Sequence, residues 1–431
     1  MKTIKLAFAS FILLSTFVSC RVLRLAQFYI SENHQKPQFP SRTISNDSLR
    51  SFQFKQGKTE LSDFIAQLNY TPRFKNKKGE SFELDTYLDK ESKTTAFLVI
   101  RRDSILFENY YEGYDDKSLL PSFSVAKSFT SALMGIAIQE GKIDSEEDLV
   151  IKYLPELKDI HPNWQEVRLK HLLNMRSGLS FNEENYVNPY SGVASLYMAK
   201  DVRKVLRKTP FKGKPGSIHY YSSLDTEILG LVLEKALDMP LSSYLETKIW
   251  KPCGMESIAE WDIDSEKHQH AKAFCCIKSV ARDYAKFGRL YLKNGNWNGK
   301  QIIHEDWINK STQPDFSNNC YQYQWYSLNR GARTVNNEQN QFELLTFADS
   351  VSAAKELNSS PYEGVTRSWQ EKNEWVIRKC GPGFYALGIL GQEVFVNPET
   401  EMIFVRLGKK WDVSNQRIFS YIERSLAKAK R

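Results

Sequence analysis

Strand-like stretches lie at both ends of this chain and helical ones fill the middle, an order that restricts the fold more than any other feature. Toward the front, Ala96-Phe97-Leu98-Val99-Ile100, a turn at Arg102-Asp103 and Ile105-Leu106-Phe107-Glu108 read as two strands within Thr94 to Tyr111. Toward the end, Phe384 to Leu390, Glu393 to Val396 and Met402 to Leu407 are short apolar and aromatic runs. Asn397-Pro398-Glu399-Thr400 makes a hairpin connection between the last two. A final helix over Ser414 to Ala427 carries Ile418, Ile422 and Leu426 on one face. Between these ends the periodicity predicts helices at Asp225 to Leu237, Leu241 to Ile249 and Ser279 to Leu292. The polar stretch Asn336 to Ser368 has no clear pattern. The simplest architecture is α+β. An antiparallel sheet is built from both chain ends and flanked by helices, with a mainly helical subdomain inserted over about residues 140–375. A cleft between the two is a natural active-site position.

Residues 1–20 are a targeting segment rather than fold. Lys2 and Lys5 precede an apolar run, Leu6 to Val18, too short for a membrane-spanning helix. Phe17-Val18-Ser19-Cys20 resembles a bacterial lipoprotein cleavage box, with Phe17 where leucine is usual; there the cysteine is lipidated and becomes the mature N-terminus. An uncleaved anchor and an ordinary signal peptide are the other readings. All three place the protein outside the cytoplasm, in the cell envelope or periplasm. Two of them hold it to the membrane, through a lipidated Cys20 or an uncleaved segment. Residues 21–85 read as an N-terminal arm, with Pro37, Pro40 and several serines making a spacer up to about residue 60 and a short helix at Ser62 to Asn69. The folded domain then spans 86–431.

The net charge of +8 is spread along the chain, without the clustered stripe a nucleic-acid surface needs. The six cysteines form no CxxC pair and no Cys/His ligand set, so neither a metal nor another cofactor is expected. Adjacent Cys275 and Cys276 are badly placed to pair with each other. The cysteines read as core thiols, with one or two disulfides open to an exported protein. His171 reads as a packed structural residue, and His268 and His270 lack a further ligand beside them.

The chemistry points to Phe123-Ser124-Val125-Ala126-Lys127. Residues three apart share a helix face, so the Lys127 amine can lie against the Ser124 hydroxyl. A serine hydroxyl needs a base, and a lysine serves if burial or a nearby cation lowers its pKa. At a helix start, the Ser124 N–H would be free to face an oxyanion. The same spacing occurs at Ser352/Lys355 and Ser425/Lys428, but only Ser124 follows a strand pair and opens an apolar helix. Tyr221, in Tyr220-Tyr221-Ser222-Ser223, precedes the next helix. Beside a lysine cation its phenol pKa would fall, and it could relay a proton. Ser223 either orients Lys127 or the substrate, or caps that helix. Leu387-Gly388-Ile389-Leu390-Gly391-Gln392 ends a strand in glycine, which lets a backbone N–H approach the reacting carbonyl.

Together these stretches resemble the serine beta-lactamase and penicillin-binding-protein superfamily, whose first signature is Ser-x-x-Lys. The class C branch and its related esterases fit best, above all the aminohexanoate-oligomer hydrolases. There the second signature is Tyr-x-Asn or Tyr-x-Ser, which Tyr221-Ser222-Ser223 matches. Lys170 to Leu179 and Ala281 to Leu290 resemble two further stretches of that branch. The resemblance covers roughly residues 92–427 and implies a beta-lactamase/transpeptidase-like fold. It also implies an acyl-enzyme on Ser124, Lys127 as general base and Tyr221 as proton shuttle to the leaving group. Tyr186 would contact the substrate from a loop. The oxyanion would lie between the N–H groups of Ser124 and Gln392, the latter from aligning Ile389-Leu390-Gly391 with the third signature, Lys-Thr-Gly or His-x-Gly. Ile389 supplies no cation there. Losing a charge-assisted hydrogen bond to a substrate carboxylate is worth roughly 1.5–3 kcal/mol, on the order of tenfold to a hundredfold in binding. An uncharged ester, or an amide lacking the matching carboxylate, is therefore the expected small-molecule substrate. A penicillin- or peptide-binding protein with little turnover and a cell-wall DD-peptidase are the alternatives. Oligomeric state is not legible.

For the N-terminal segment, we expect full-length protein made in a lipoprotein-processing bacterium to incorporate labelled palmitate and to sediment with membranes. Cys20→Ser should abolish the label; label retained in that variant would exclude the cysteine as the modified residue.

Overall fold

Strand β1 (Thr94–Arg101) shows why the two ends of the chain meet. It is almost wholly buried, so it needs apolar cover on both faces. Side chains alternate across a strand. Ala96, Leu98 and Ile100 enter one hydrophobic cluster, whereas Phe97 and Val99 enter another. Its partners are β2 (Ser104–Tyr110), antiparallel across the turn at Arg102-Asp103, and the distant β5 (Met402–Gly408), also antiparallel. β5 pairs with β4 (Gln392–Asn397), and β4 with β3 (Trp375–Gly388). The expected hairpin at Asn397 to Thr400 thus joins β4 to β5. Among the described residues the sheet has ten strands, antiparallel except for Lys55–Gln56, which runs parallel to β2.

The computed structural model describes residues 39–428 apart from 58–60, 69–72, 77, 185, 187, 189, 316–317, 319, 332, 337–340, 345, 348–349, 356–362, 368–374 and 411–414. The segment read as a targeting sequence lies outside these. Among the described residues no helix is long and apolar enough to cross a membrane.

Both faces of the sheet are covered. On one face, α1 (Ala126–Gln139), α2 (Ser223–Leu237) and α3 (Ala281–Leu292) contribute Phe129, Leu133, Ile228 and Phe287 to the larger cluster. On the other, α4 (Asn415–Lys428) contributes Ile418, Phe419 and Ile422, beside Phe64 and Leu68 of the helix Leu61–Leu68. A second, four-stranded sheet joins Ser41–Ile44, Ala259–Asp262, Ile277–Ser279 and Leu120–Pro121. Its last strand leads directly into the Ser124 segment.

Three expectations need correction. From residue 39 onward the presumed spacer is part of the body. Ser41–Ile44 pairs with Ala259–Asp262, and Ile44, Phe54, Phe64 and Phe74 are buried. Its strands have four residues or fewer, too few to show a period. The insertion is mainly helical only to the helix Glu305–Thr312. Beyond it come Trp325–Gly331, Arg333–Asn336, Gln341–Leu344 and Glu363–Arg367, all strands. Finally, Cys275 and Cys276 do form a disulfide, as do Cys320 and Cys380. Cys276 takes a φ of +76°, uncommon for a residue with a side chain. Cys253 remains a buried thiol.

Arg406 fastens the sheet where its two halves join. Fully buried, it donates from Nε to Thr94 Oγ1 (3.1 Å) and from Nη1 to the carbonyls of Leu390 (3.2 Å) and Gly391 (2.9 Å). A further bond goes to the Ser92 carbonyl. One guanidinium therefore ties the start of β1 to the turn between β3 and β4.

Candidate active site

Ser124 is held by the strand beside it. The Ser122 N–H donates to the Ile277 carbonyl (2.7 Å), and the Ile277 N–H donates to Ser122 Oγ (3.1 Å). Phe123 then takes a φ of +43°, an uncommon conformation for a residue with a side chain. Ser124 follows in the 3₁₀ turn Phe123–Val125, which runs into α1. There the first backbone N–H groups have no acceptor within the helix.

One turn on, Lys127 is only 1% exposed. Its Nζ lies 2.9 Å from Ser124 Oγ, 3.0 Å from Ser223 Oγ and 3.0 Å from the Phe274 carbonyl. Burial pulls its pKa down to about 8, against the opposing charges of Glu183 and Glu227. The shift makes the neutral amine accessible near physiological pH, the condition a lysine base requires.

Tyr221 completes the cluster. Its ring centroid is 5.1 Å from Lys127 Nζ, and its hydroxyl is hydrogen-bonded to Ser124. Contrary to the expected lowering, its pKa is raised well above 10. Burial is the largest cause, followed by Tyr321, Tyr186 and Glu183. The phenol stays protonated and can donate.

The helix cap belongs to Ser222, whose Oγ accepts from the Asp225 N–H (3.3 Å). Ser223 therefore faces Lys127 and is no cap. It is in turn held by Glu183, whose carboxylate accepts from the Ser223 N–H (2.8 Å), the Ser223 hydroxyl (2.7 Å) and the Tyr186 hydroxyl (2.8 Å). No sequence signal marked Glu183; Asn182-Glu183-Glu184 looks like any polar loop, and only its contacts in the fold distinguish it.

Tyr186 lines the cleft over Ser124, with Phe123, Val193, Tyr197, Phe274 and Ile389. Gly391 and Gln392 do not. The Gly391 carbonyl is taken by Arg406 and by Asn415 (3.2 Å). The Gln392 side chain is buried against the Ile389 (3.2 Å) and Gly408 (2.7 Å) carbonyls, and its backbone pairs with Gly388. These two residues brace the turn, and Gly388–Ile389 is the segment that reaches the site. A Cβ on Gly388 would lie 2.6 Å from the Ser122 carbonyl oxygen and 3.1 Å from Phe123 Cβ. Ala386-Leu387-Gly388, which leads into that segment, likewise begins with an apolar residue. The 3₁₀ turn Ile389–Gly391, with Leu390 at φ +61° and Gly391 at +80°, carries the chain away from the cleft here, and no strand pattern reveals it.

The rival Ser-x-x-Lys pairs form no such site. Ser352 and Lys355 are exposed on the helix Ser350–Lys355, and the Ser425 hydroxyl donates to the Tyr421 carbonyl (3.0 Å). His171 accepts the Arg168 N–H at a helix start (3.2 Å), and His270 Nδ1 lies 2.8 Å from Glu234. Among the described residues no group of three or more His, Cys, Asp or Glu side chains could hold a metal ion.

The beta-lactamase family profile matches residues 84–422. The chain belongs to the beta-lactamase family. This beta-lactamase-family hydrolase is 26% identical over 330 residues to the 6-aminohexanoate-dimer hydrolase of Paenarthrobacter ureafaciens, covering 74% of this chain and 73% of that one. It is 28% identical over 193 residues to a provisionally named D-alanyl-D-alanine carboxypeptidase of Salmonella agona, covering 40% of this chain and 44% of that one. Among solved structures, it superposes with a TM-score of 0.68 on a Bacillus anthracis protein provisionally named a 6-aminohexanoate-dimer hydrolase. That pair shares 22% identity, over 94% of this chain and 93% of the other. The fold is thus the beta-lactamase/transpeptidase-like one.

Because Gly388 presses on the Ser122 carbonyl, Gly388→Ala should displace the Ser124 turn. We expect p-nitrophenyl ester hydrolysis by this beta-lactamase-family hydrolase to fall at least about tenfold, with a lowered melting temperature. Unchanged activity would show that the contact does not position Ser124.

Proposed function

We propose that the chain hydrolyses an uncharged ester or amide through an acyl-enzyme on Ser124. The carrying observation is the buried Lys127 amine 2.9 Å from Ser124 Oγ, its pKa drawn down to about 8. Neutral Lys127 takes the Ser124 proton as Oγ attacks the substrate carbonyl. The developing oxyanion lies between the N–H groups of Ser124 and Ile389, the latter replacing Gln392 in that role. The proton on Lys127 passes through the Tyr221 hydroxyl to the leaving alcohol or amine, which departs and leaves an ester on Ser124. Water then attacks that ester while Lys127 and Tyr221 run the relay in reverse.

An uncharged substrate is supported by the cleft. The described residues lining it include no Lys or Arg, and Ala386 and Ile389 are apolar. That favours an ester or amide over the carboxylate-bearing peptide of a carboxypeptidase. Export is part of the proposal, supported by residues 1–20 and by the Cys320–Cys380 disulfide, a bond that persists in oxidising compartments.

Burst kinetics on a p-nitrophenyl ester panel, with intact-mass detection of the adduct, test this reading. Ser124→Ala should lose at least about a thousandfold, and Lys127→Ala and Tyr221→Phe should be strongly impaired. Full activity in Ser124→Ala would exclude the mechanism, and a stable adduct without turnover would indicate a binding protein. The active base is the unprotonated amine. Acylation should therefore climb about tenfold per pH unit below the Lys127 pKa and level off above about pH 8. A rate flat from pH 6 to 9 would remove Lys127 from the role of base.

A further inference from the structure

One buried carboxylate faces this site without touching the reacting atoms. Glu183 is 7% exposed and lies on the loop that follows Leu179, between the helices Leu169–Leu173 and Gly192–Tyr197. We propose that Glu183 aims the lone pair of Lys127 at Ser124 by fixing the direction of the Ser223 hydroxyl. The inference rests on the acyl-transfer reading above, in which neutral Lys127 is the base.

A neutral amine has two N–H bonds and one lone pair. Around Lys127 Nζ stand three oxygens, and base catalysis requires the lone pair to face only one of them, Ser124 Oγ. The Phe274 carbonyl at 3.0 Å can only accept, so it takes one N–H. Ser223 Oγ at 3.0 Å is ambiguous by itself, because a hydroxyl can donate or accept. Glu183 removes the ambiguity. Its Oε1 lies 2.7 Å from Ser223 Oγ and takes the hydroxyl proton in a charge-assisted bond. Its Oε2 accepts the N–H of the same residue at 2.8 Å, which locks the carboxylate in place. Tyr186 adds a third donor to the carboxylate, its hydroxyl lying 2.8 Å from Oε1. With its proton committed, Ser223 Oγ presents only lone pairs to Lys127 and takes the second N–H. The amine lone pair is left facing Ser124 Oγ.

Without the carboxylate, the Ser223 hydroxyl can rotate and donate to that lone pair, in competition with Ser124. Glu183 is therefore a positioning residue. It has a second and opposing effect. The titratable groups facing the amine are Glu183, Glu227 and Tyr221, and both carboxylates raise the Lys127 pKa against its burial. Neutralising Glu183 misdirects the base and also makes it easier to deprotonate.

The test compares wild type, Glu183→Gln, Ser223→Ala and the double variant, all with p-nitrophenyl acetate as the acyl donor. Acylation rate constants are measured across pH, with melting temperatures and intact-mass mapping of the adduct. An adduct on wild-type Ser124 upholds the acyl-transfer reading; its absence overturns that reading and this proposal with it. Given the adduct, Glu183→Gln should lower the plateau acylation rate about 100-fold. It should leave KM within about threefold and move the acid limb of the pH profile to lower pH. Because Glu183 acts through Ser223, the double variant should be no slower than Ser223→Ala alone. A wild-type rate and limb in Glu183→Gln, or losses that simply add in the double variant, would overturn the proposal. Should Glu183→Gln not fold, Ser223→Ala decides. A comparable loss in a folded protein supports the orienting hydroxyl, and an unchanged rate excludes it.

Discussion

The desolvation of one amine governs the whole site. An ammonium group removed from water must find compensating partners or give up its proton. Lys127 is placed between these outcomes, with enough hydrogen bonds to be held and too little solvent to stay firmly charged. Its three partners come from separate parts of the chain. Ser124 is on the same turn, Ser223 opens α2, and Phe274 precedes the second-sheet strand Ile277–Ser279. That strand also bonds Ser122, so one segment holds both the neighbour of the proposed nucleophile and an acceptor for Lys127. The candidate site therefore depends on the helical insertion being docked against the sheet.

The backbone around the site is correspondingly constrained. Phe123, Cys276 and Leu390 all have positive φ, and each flanks the cleft or its walls. Such residues cost on the order of 1–3 kcal/mol each and persist only where surrounding structure dictates them. Here that structure is a sheet buried on both faces, with Arg406 clamping the turn that contains Leu390. The stiffness of the sheet is what allows the Ser124 turn and the end of β3 to keep their positions.

The parts of this arrangement that were legible in the sequence share a property: their signals are local and long. The eight-residue run of β1, the hairpin after Asn397 and the amphipathic α4 carry enough residues to show a period. Ser124 and Lys127 were legible because three residues on a helix make one contact. The illegible parts depend on distant partners or irregular turns. Glu183 is defined by donors 40 residues away, and two-residue strands such as Lys55–Gln56 have no pattern to read. The alignment that selected Gln392 passed over a tight turn between two strands. The Tyr221 phenol was expected to follow the lysine charge, but its burial outweighs that cation. The vicinal disulfide sits at a residue of unusual φ, Cys276, and composition does not encode such local backbone geometry.

The pairing of the chain ends also dictates how this molecule must assemble. Arg406 and Thr94, in neighbouring strands, are 312 residues apart in sequence. The central strand can find its partner only when nearly the whole polypeptide has been synthesised. Closing so long a loop makes folding slow. During synthesis β1 waits for β5 with apolar residues on both faces, an exposure that favours aggregation. Under the export proposed above, the same delay would be an advantage, because the sheet could not close before the last strand had passed through the membrane.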